Sequence, residues 1–279
     1  MLGVLIPAGI IYLNELLQYK VRTRSDVDRL SKVPVLGEIP KHKEEKNVVV
    51  DEQGNDSIDE AFRMARTNLL LTLGTDNKVV STVDGEGKTF VAINMALSTA
   101  FLNKKVLLIG LDLRIPRLRE YLKLETKNGM TNYLSGFEKN IDNLIVQSGL
   151  PPKLFVITAG PVPPNPAELL SRPSLDKAIG SLREEFDYIF IDSSPSALVT
   201  DTLVMNRVTD ATLYVCRMDF SSKGNIRFAN NLMQQNKLNN MLLVINDVAD
   251  FHRGYGYGYG YGFGYGYGNK KKSKRRKKS

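Results

Sequence analysis

Apolar positions in this 279-residue chain fall into short runs separated by longer stretches of helical period. The runs at 78–81, 106–111, 154–158, 188–192, 211–217 and 242–246 predict buried strands. Between them, near 89–102, 174–185 and 225–236, apolar residues recur at helical spacing. Ahead of the first run, Ile58, Phe62, Ala65, Leu69 and Leu73 mark one face of a helix over 57–73. Ser57 and Glu60 form the capping box expected to start it. The alternation predicts an α/β fold, a doubly wound, mostly parallel sheet with helices on both faces. Such sheets bind ligands at the carboxyl ends of their strands, so chemistry is expected just after each one.

The pattern breaks at both ends. Residues 1–13, MLGVLIPAGIIYL, carry no charge. As a helix they span roughly 20 Å, short of a hydrocarbon core of about 30 Å. They lack the basic start and small-residue cleavage site of a signal peptide. Lys20, Arg22 and Arg24 follow, as on the cytoplasmic flank of a membrane helix. The preferred reading is a partial transmembrane helix over 1–18 whose start precedes this sequence; a buried or interfacial helix is the alternative. Residues 19–56, with VPVLGEIP, KHKEEK and DEQGND, read as a juxtamembrane linker, and 57–250 as the main domain. Residues 251–279 read as a disordered tail that is Tyr/Gly-rich and then polybasic. Its run GYGYGYGYGFGYGYG, 254–268, offers Tyr255, Tyr257, Tyr259, Tyr261, Tyr265 and Tyr267 on a backbone whose alternate glycines give a sheet nothing to pack.

Composition narrows the partners. The net charge is +8, and the last eleven residues hold eight of the 38 basic residues and no acid, leaving thirty of each sign elsewhere. A neutral body argues against a fold-wide, specific nucleic-acid surface. The basic arm fits anionic lipid headgroups or nonspecific nucleic acid, lipid being preferred for a membrane-anchored chain. Cys216, the one cysteine, excludes an internal disulfide, and His42 and His252 are too few for a His-rich metal site.

Candidate chemistry follows three strands. After the first, STVDGEGKTF (81–90) resembles a Walker A loop, with Thr82, Val83, Asp84, Gly85, Glu86, Gly87, Lys88, Thr89 and Phe90 as the nucleotide-binding set. Glycines let backbone N–H groups face phosphate oxygens at a helix N-terminus. Lys88 would reach the β/γ-phosphates and the Thr89 hydroxyl would bind Mg²⁺. Position 82 is Thr where the common pattern has its first glycine. KVLLIGLDLRIPRL (105–118) places Asp112 and Arg114 at a strand edge beside that loop. FDYIFIDSSPS (186–196) ends a strand on Asp192, in the position of a Walker B carboxylate holding Mg²⁺ directly or through water.

GEGKT, LDLR and IFIDSSP, with AGPVPPNPAELL (159–170) and VINDV (244–248), resemble the bacterial tyrosine kinases, P-loop enzymes related to MinD/ParA ATPases. The resemblance runs over essentially the whole chain. It implies an ATP- and Mg²⁺-dependent, non-specific protein-tyrosine kinase at the inner membrane, facing the cytoplasm and regulating capsule or exopolysaccharide export. Lys88, Asp112, Asp192 and Arg114 would be catalytic; Thr89, Asp112 and Asp192 would hold metal; Asn246 would contact adenine. Arg114 would neutralise phosphate charge or make a structural ion pair. The family's E-x-x-R-x-x-R motif falls on Glu60, Arg63 and Arg66. They form either a subunit interface in a homo-oligomeric ring, an octamer being one expected size, or a solvated helix face. The tail tyrosines would be the phosphoacceptors, reset by a phosphatase. The family's periplasmic upstream region has no counterpart in this sequence. Gly110 stands where the family often has the first acid of D-x-D, leaving Asp112 to ligate metal and accept the phenol proton. The strand before the phosphate loop reads as short, and Asp84 replaces a frequent proline. Two rival readings are a MinD/ParA-like ATPase switch without kinase activity and a non-catalytic scaffold for polysaccharide assembly.

Overall fold

The computed structural model describes residues 19–42, 46–74, 77–83, 87–150, 154–194 and 200–249. Residues 1–18, the loop residues Asp84, Gly85 and Glu86, and the tail over 251–279 with its six expected acceptors lie outside the described residues. Among the described residues no helix is long and apolar enough to cross a membrane.

The apolar runs form β2 (Val79–Val83), β3 (Val106–Leu111), β5 (Leu154–Ile157), β6 (Tyr188–Ser193), β7 (Ala211–Arg217) and β8 (Met241–Val248), joined by β1 (Val35–Pro40) and the two-residue β4 (Val146–Gln147). They make one sheet in the order β1-β8-β7-β2-β6-β3-β5-β4. Every neighbouring pair is parallel except β4 with β5. β2, β3 and β7 are buried along nearly their whole length because helices cover both faces of a parallel sheet.

On one face lie α2 (Ser57–Leu73) and α3 (Lys88–Ala100), burying Phe62, Ala65, Leu69 and Ile93 against Val80, Leu108, Phe190 and Leu213. On the other, α5 (Met130–Ser135), α6 (Pro166–Ser171), α7 (Pro173–Glu185) and α8 (Thr200–Met205) flank one half, where Leu175, Ile179 and Leu182 meet Leu107, Ile109 and Ile191. α1 (Arg24–Leu30) and α9 (Lys223–Gln234) cover the rest, with Val27 and Ile226 beside Tyr214 and Ile245. Neighbouring residues 107 and 108 thus enter opposite cores, as the two-residue period of a strand requires. The single turn α4 (Leu118–Tyr121) follows β3.

Three expectations change. Residues 19–56 are not a linker outside the domain. Val35–Pro40 pairs with β8, and Gly37 lets α2 approach so closely that a Cβ there would stand 3.2 Å from that of Ala65. Pro34 and Pro40 suggest a connector by sequence, but an edge strand tolerates proline at its ends. The cap of α2 is Asp56, whose carboxylate accepts from the N–H groups of Ile58 and Asp59; Glu60 turns instead to Arg63, 3.2 Å away. Finally, β2 extends to Val83, so Thr82 and Val83 lie fully buried inside it rather than in the loop. Its start is pinned by Asp210, which accepts from Lys78 and Val79 N–H at 2.8 Å each and pairs with Arg183.

Candidate active site

β2, β3 and β6 deliver their carboxyl ends to one place. Parallel register sets Thr82 beside Asp192 and Gly110 beside Asp192 on the other side, so the acid ending β6 stands between the phosphate loop and the end of β3. Gly87, at φ 99°, turns the chain into α3, whose first residues are Lys88 and Thr89. Glycine is the residue that adopts this left-handed conformation without steric cost. Asn246 of β8 packs directly onto Gly87, filling the space a Cβ would need.

The charged groups are buried together. Lys88 Nζ lies 2.8 Å from Asp112 Oδ2, and Thr89 Oγ1 donates to Asp192 Oδ2 at 2.9 Å. Asp112 Oδ1 accepts from the N–H groups of Arg114 and Ile115 at 3.3 and 3.1 Å and from the Ser194 hydroxyl at 3.1 Å. That oxygen is taken up by the turn following β3 and by Ser194, leaving Oδ2 to Lys88. Among the described residues, Asp192 Oδ1 is buried with no hydrogen-bond partner. Burial pushes the Asp192 carboxyl up to about 6, against the opposing pull of Lys88 and Thr89. For Lys88, burial lowers the pKa, but the nearby Asp192 and Asp112 carboxylates outweigh it, and the ammonium is held above its ordinary value. An orphaned carboxylate oxygen beside a hydroxyl, a lysine and a glycine turn fits a triphosphate with its divalent cation.

The structure therefore brings Lys88, Thr89, Asp112, Asp192 and Asn246 together. Thr82 instead holds the sheet, its hydroxyl donating to the Ile191 carbonyl. Phe90 turns away from the cluster, stacking edge-on with Phe62 at 5.9 Å. Arg114 is exposed, and its backbone rather than its guanidinium contacts Asp112. Ser194 is a site residue that sequence reasoning missed; its position two residues after Asp192 at the end of β6 is the signal that could have found it.

Comparison with known proteins decides the family. A family model described as an AAA domain matches residues 78–245. The tyrosine-protein kinase CpsD of Streptococcus agalactiae is 33% identical over 196 residues, covering 69% of this chain and 83% of CpsD. The chain belongs to the bacterial tyrosine kinases. The tyrosine-protein kinase Ptk of Acinetobacter johnsonii is 27% identical over 91% of this chain, but the chain spans only 37% of Ptk. The solved kinase domain of Escherichia coli tyrosine kinase ETK superposes with a TM-score of 0.74 at 25% identity, covering 88% of this chain and all of that domain.

Against the family pattern, Gly110 is closed rather than merely empty. A Cβ there would lie 3.1 Å from the Ala159 backbone nitrogen and 3.3 Å from Leu118 Cδ2. The kinase-family motif on α2 is partly engaged within the chain. Arg63 donates to the Gly54 carbonyl as well as meeting Glu60, and Arg66 donates to the Ser98 carbonyl at 2.8 Å, tying α2 to α3. Glu60 is exposed.

Proposed function

We propose that this chain is an ATP- and Mg²⁺-dependent protein-tyrosine kinase that phosphorylates Tyr255, Tyr257, Tyr259, Tyr261, Tyr265 and Tyr267 of its own tail, in trans within a ring. The buried cluster of Lys88, Thr89, Asp112 and Asp192, with one carboxylate oxygen left unpartnered among the described residues, carries the reading. Bound Mg·ATP supplies the phosphoryl group. Thr89 Oγ1 and Asp192 Oδ1 would hold the metal, and Asn246 beside Gly87 would border the nucleotide. Lys88, kept cationic by its two carboxylates, exchanges Asp112 for phosphate oxygens. That exchange frees Asp112 Oδ2, the oxygen without backbone or hydroxyl donors, to take the phenol proton from a group of ordinary pKa about 10.

A glycine-rich tail of 29 residues reaches roughly 30 Å root-mean-square, enough to enter a neighbouring subunit's site. Each phosphate adds about −1.5 to −2 charges. Several would offset the eight terminal cations and drive neighbouring tails apart, opening the ring and altering polysaccharide polymerisation and export. A phosphatase would close the cycle. In this reading the apolar segment 1–13 and the basic arm favour a position on the cytoplasmic face of the inner membrane.

Incubation with Mg·ATP followed by mass spectrometry tests it. Label is expected on the six tyrosines and none in Lys88→Met; label persisting in that variant overturns the mechanism. One observation favours a second reading, a nucleotide switch: the closed position at Gly110 leaves Asp112 as the one acid there. ATP hydrolysis without phosphotyrosine would decide for it.

A further inference from the structure

Beside the cluster, the ends of β3 and β5 open into a cleft of about 650 Å³ with Asp112 and Asp192 in its lining. A group lying in it stands next to the reacting residues. The wall formed by residues 116–127 brings Arg117, Arg119, Lys123 and Lys127 to the cleft with the acid Glu120, while its second acid, the exposed Glu125, is not part of the lining. Glu120 lies 3.6 Å from Arg117 and offsets that charge. Among the described residues no ion pair is formed by Arg119, Lys123 or Lys127, and all three are exposed.

The wall is built rather than loose. Leu118 and Leu122 are buried under it, and the N–H groups of Tyr121 and Leu124 bond back to the Arg117 and Arg119 carbonyls. Lys123 adopts φ 52°, a conformation usually left to glycine or asparagine, and brings its charge to the rim there. The donor phosphates already have Lys88 and the helix N-terminus. A neutral phenol needs no cation to enter. The rim charges are therefore in excess of what the donor and an unmodified tyrosine require.

We propose that this wall is an acceptor subsite for an anionic group, selecting a tyrosine whose neighbour two residues away already carries a phosphate. The proposal rests on the tyrosine-kinase reading of the adjacent centre. In a Gly–Tyr alternation the next ring lies about 7 Å along an extended chain. A phosphate on one ring thus meets Arg119, Lys123 and Lys127 while the next hydroxyl lies toward Asp112. The first modification makes the second easier, and the tail is labelled in runs.

The test uses the full chain, phosphatase-treated and saturated with Mg·ADP, and two fluorescein-labelled peptides, GYGYGYG and the same sequence with its central tyrosine phosphorylated. Fluorescence anisotropy is expected to show the phosphopeptide bound at least about tenfold more tightly, the advantage shrinking with added salt. In Arg119→Gln/Lys123→Gln/Lys127→Gln the advantage should fall below about twofold, whereas Arg119→Lys/Lys123→Arg/Lys127→Arg, which keeps the charges, should retain it. Equal affinities for the two peptides in the unmodified sequence overturn the subsite. So does a preference surviving in the Gln variant, or an ADP affinity that falls in parallel and assigns the cations to the nucleotide. Failure of the kinase reading looks different: neither peptide gains phosphate from Mg·ATP, whatever their affinities.

Discussion

Asp192 shows what a single residue at this centre costs. Its carboxyl, pushed up to about 6 by burial, lies above the ordinary 3.8. Between those values the folded chain holds a proton that the unfolded chain has released. This group therefore favours folding below about pH 4, and that contribution is lost as pH rises through 6. At pH 7.5 the ionised, half-partnered carboxylate works against the fold by up to about 3 kcal/mol. Asp192→Asn is expected to raise the melting temperature of the nucleotide-free protein at pH 7.5 and to flatten its dependence between pH 4 and 6. The same variant should lose phosphoryl transfer. Calorimetry across pH measures the first effect and tail labelling the second; a destabilised Asn variant at pH 7.5 would contradict the argument. A stability cost of this kind is common where a site holds charge in readiness for a ligand.

At the scale of elements, β3 and the turn after it decide how many acids the site carries. Gly110 is the position where β3 approaches the Ala159 backbone and Leu118 most closely, and that proximity is built into the pairing of β3 with β5. Gly110→Asp should therefore fail to restore a second acid. It is expected to lower stability by about 1–3 kcal/mol, because the backbone of 159 must move as well as the leucine side chain, and to leave tyrosine labelling no faster. Urea denaturation and a labelling time course measure both. How much of this was legible in the sequence depends on what each feature needs. The strands and the long helices follow from period alone, and the ends of β2, β3 and β6 point to Lys88, Asp112 and Asp192 without any coordinates. β1 was hidden by its flanking prolines, and α4, α5 and α6 span too few residues to show a period. The Ser194 contact and the closure at Gly110 arise from pairings across β3, β5 and β6, which no local pattern encodes. Asn246 was named for its resemblance, but its seat against Gly87 follows from β8 reaching past β7.

At the scale of the whole molecule, the motif on α2 separates folding from assembly. Arg66 serves the fold, since its bond to the Ser98 carbonyl joins α2 to α3 and its removal leaves an acceptor on a buried residue without that donor. Arg66→Ala should cost the monomer about 1–2 kcal/mol. Glu60 is exposed and, among the described residues, forms its ion pair with Arg63 one turn on, so Glu60→Ala should leave monomer stability within about 0.5 kcal/mol. If α2 is the ring surface, the Glu60 variant nevertheless sediments as smaller species than the parent chain. Sedimentation velocity beside thermal denaturation distinguishes the two effects, and an unchanged oligomer in Glu60→Ala removes Glu60 from the interface. One consequence of the sheet order reaches further. β1 is hydrogen-bonded along β8, and β8 carries Asn246 against the glycine that ends the phosphate loop. Only β8 thus separates β1, at the edge of the sheet, from the turn at Gly87, so a strand drawn from outside the phosphate-binding motifs borders the entrance to α3.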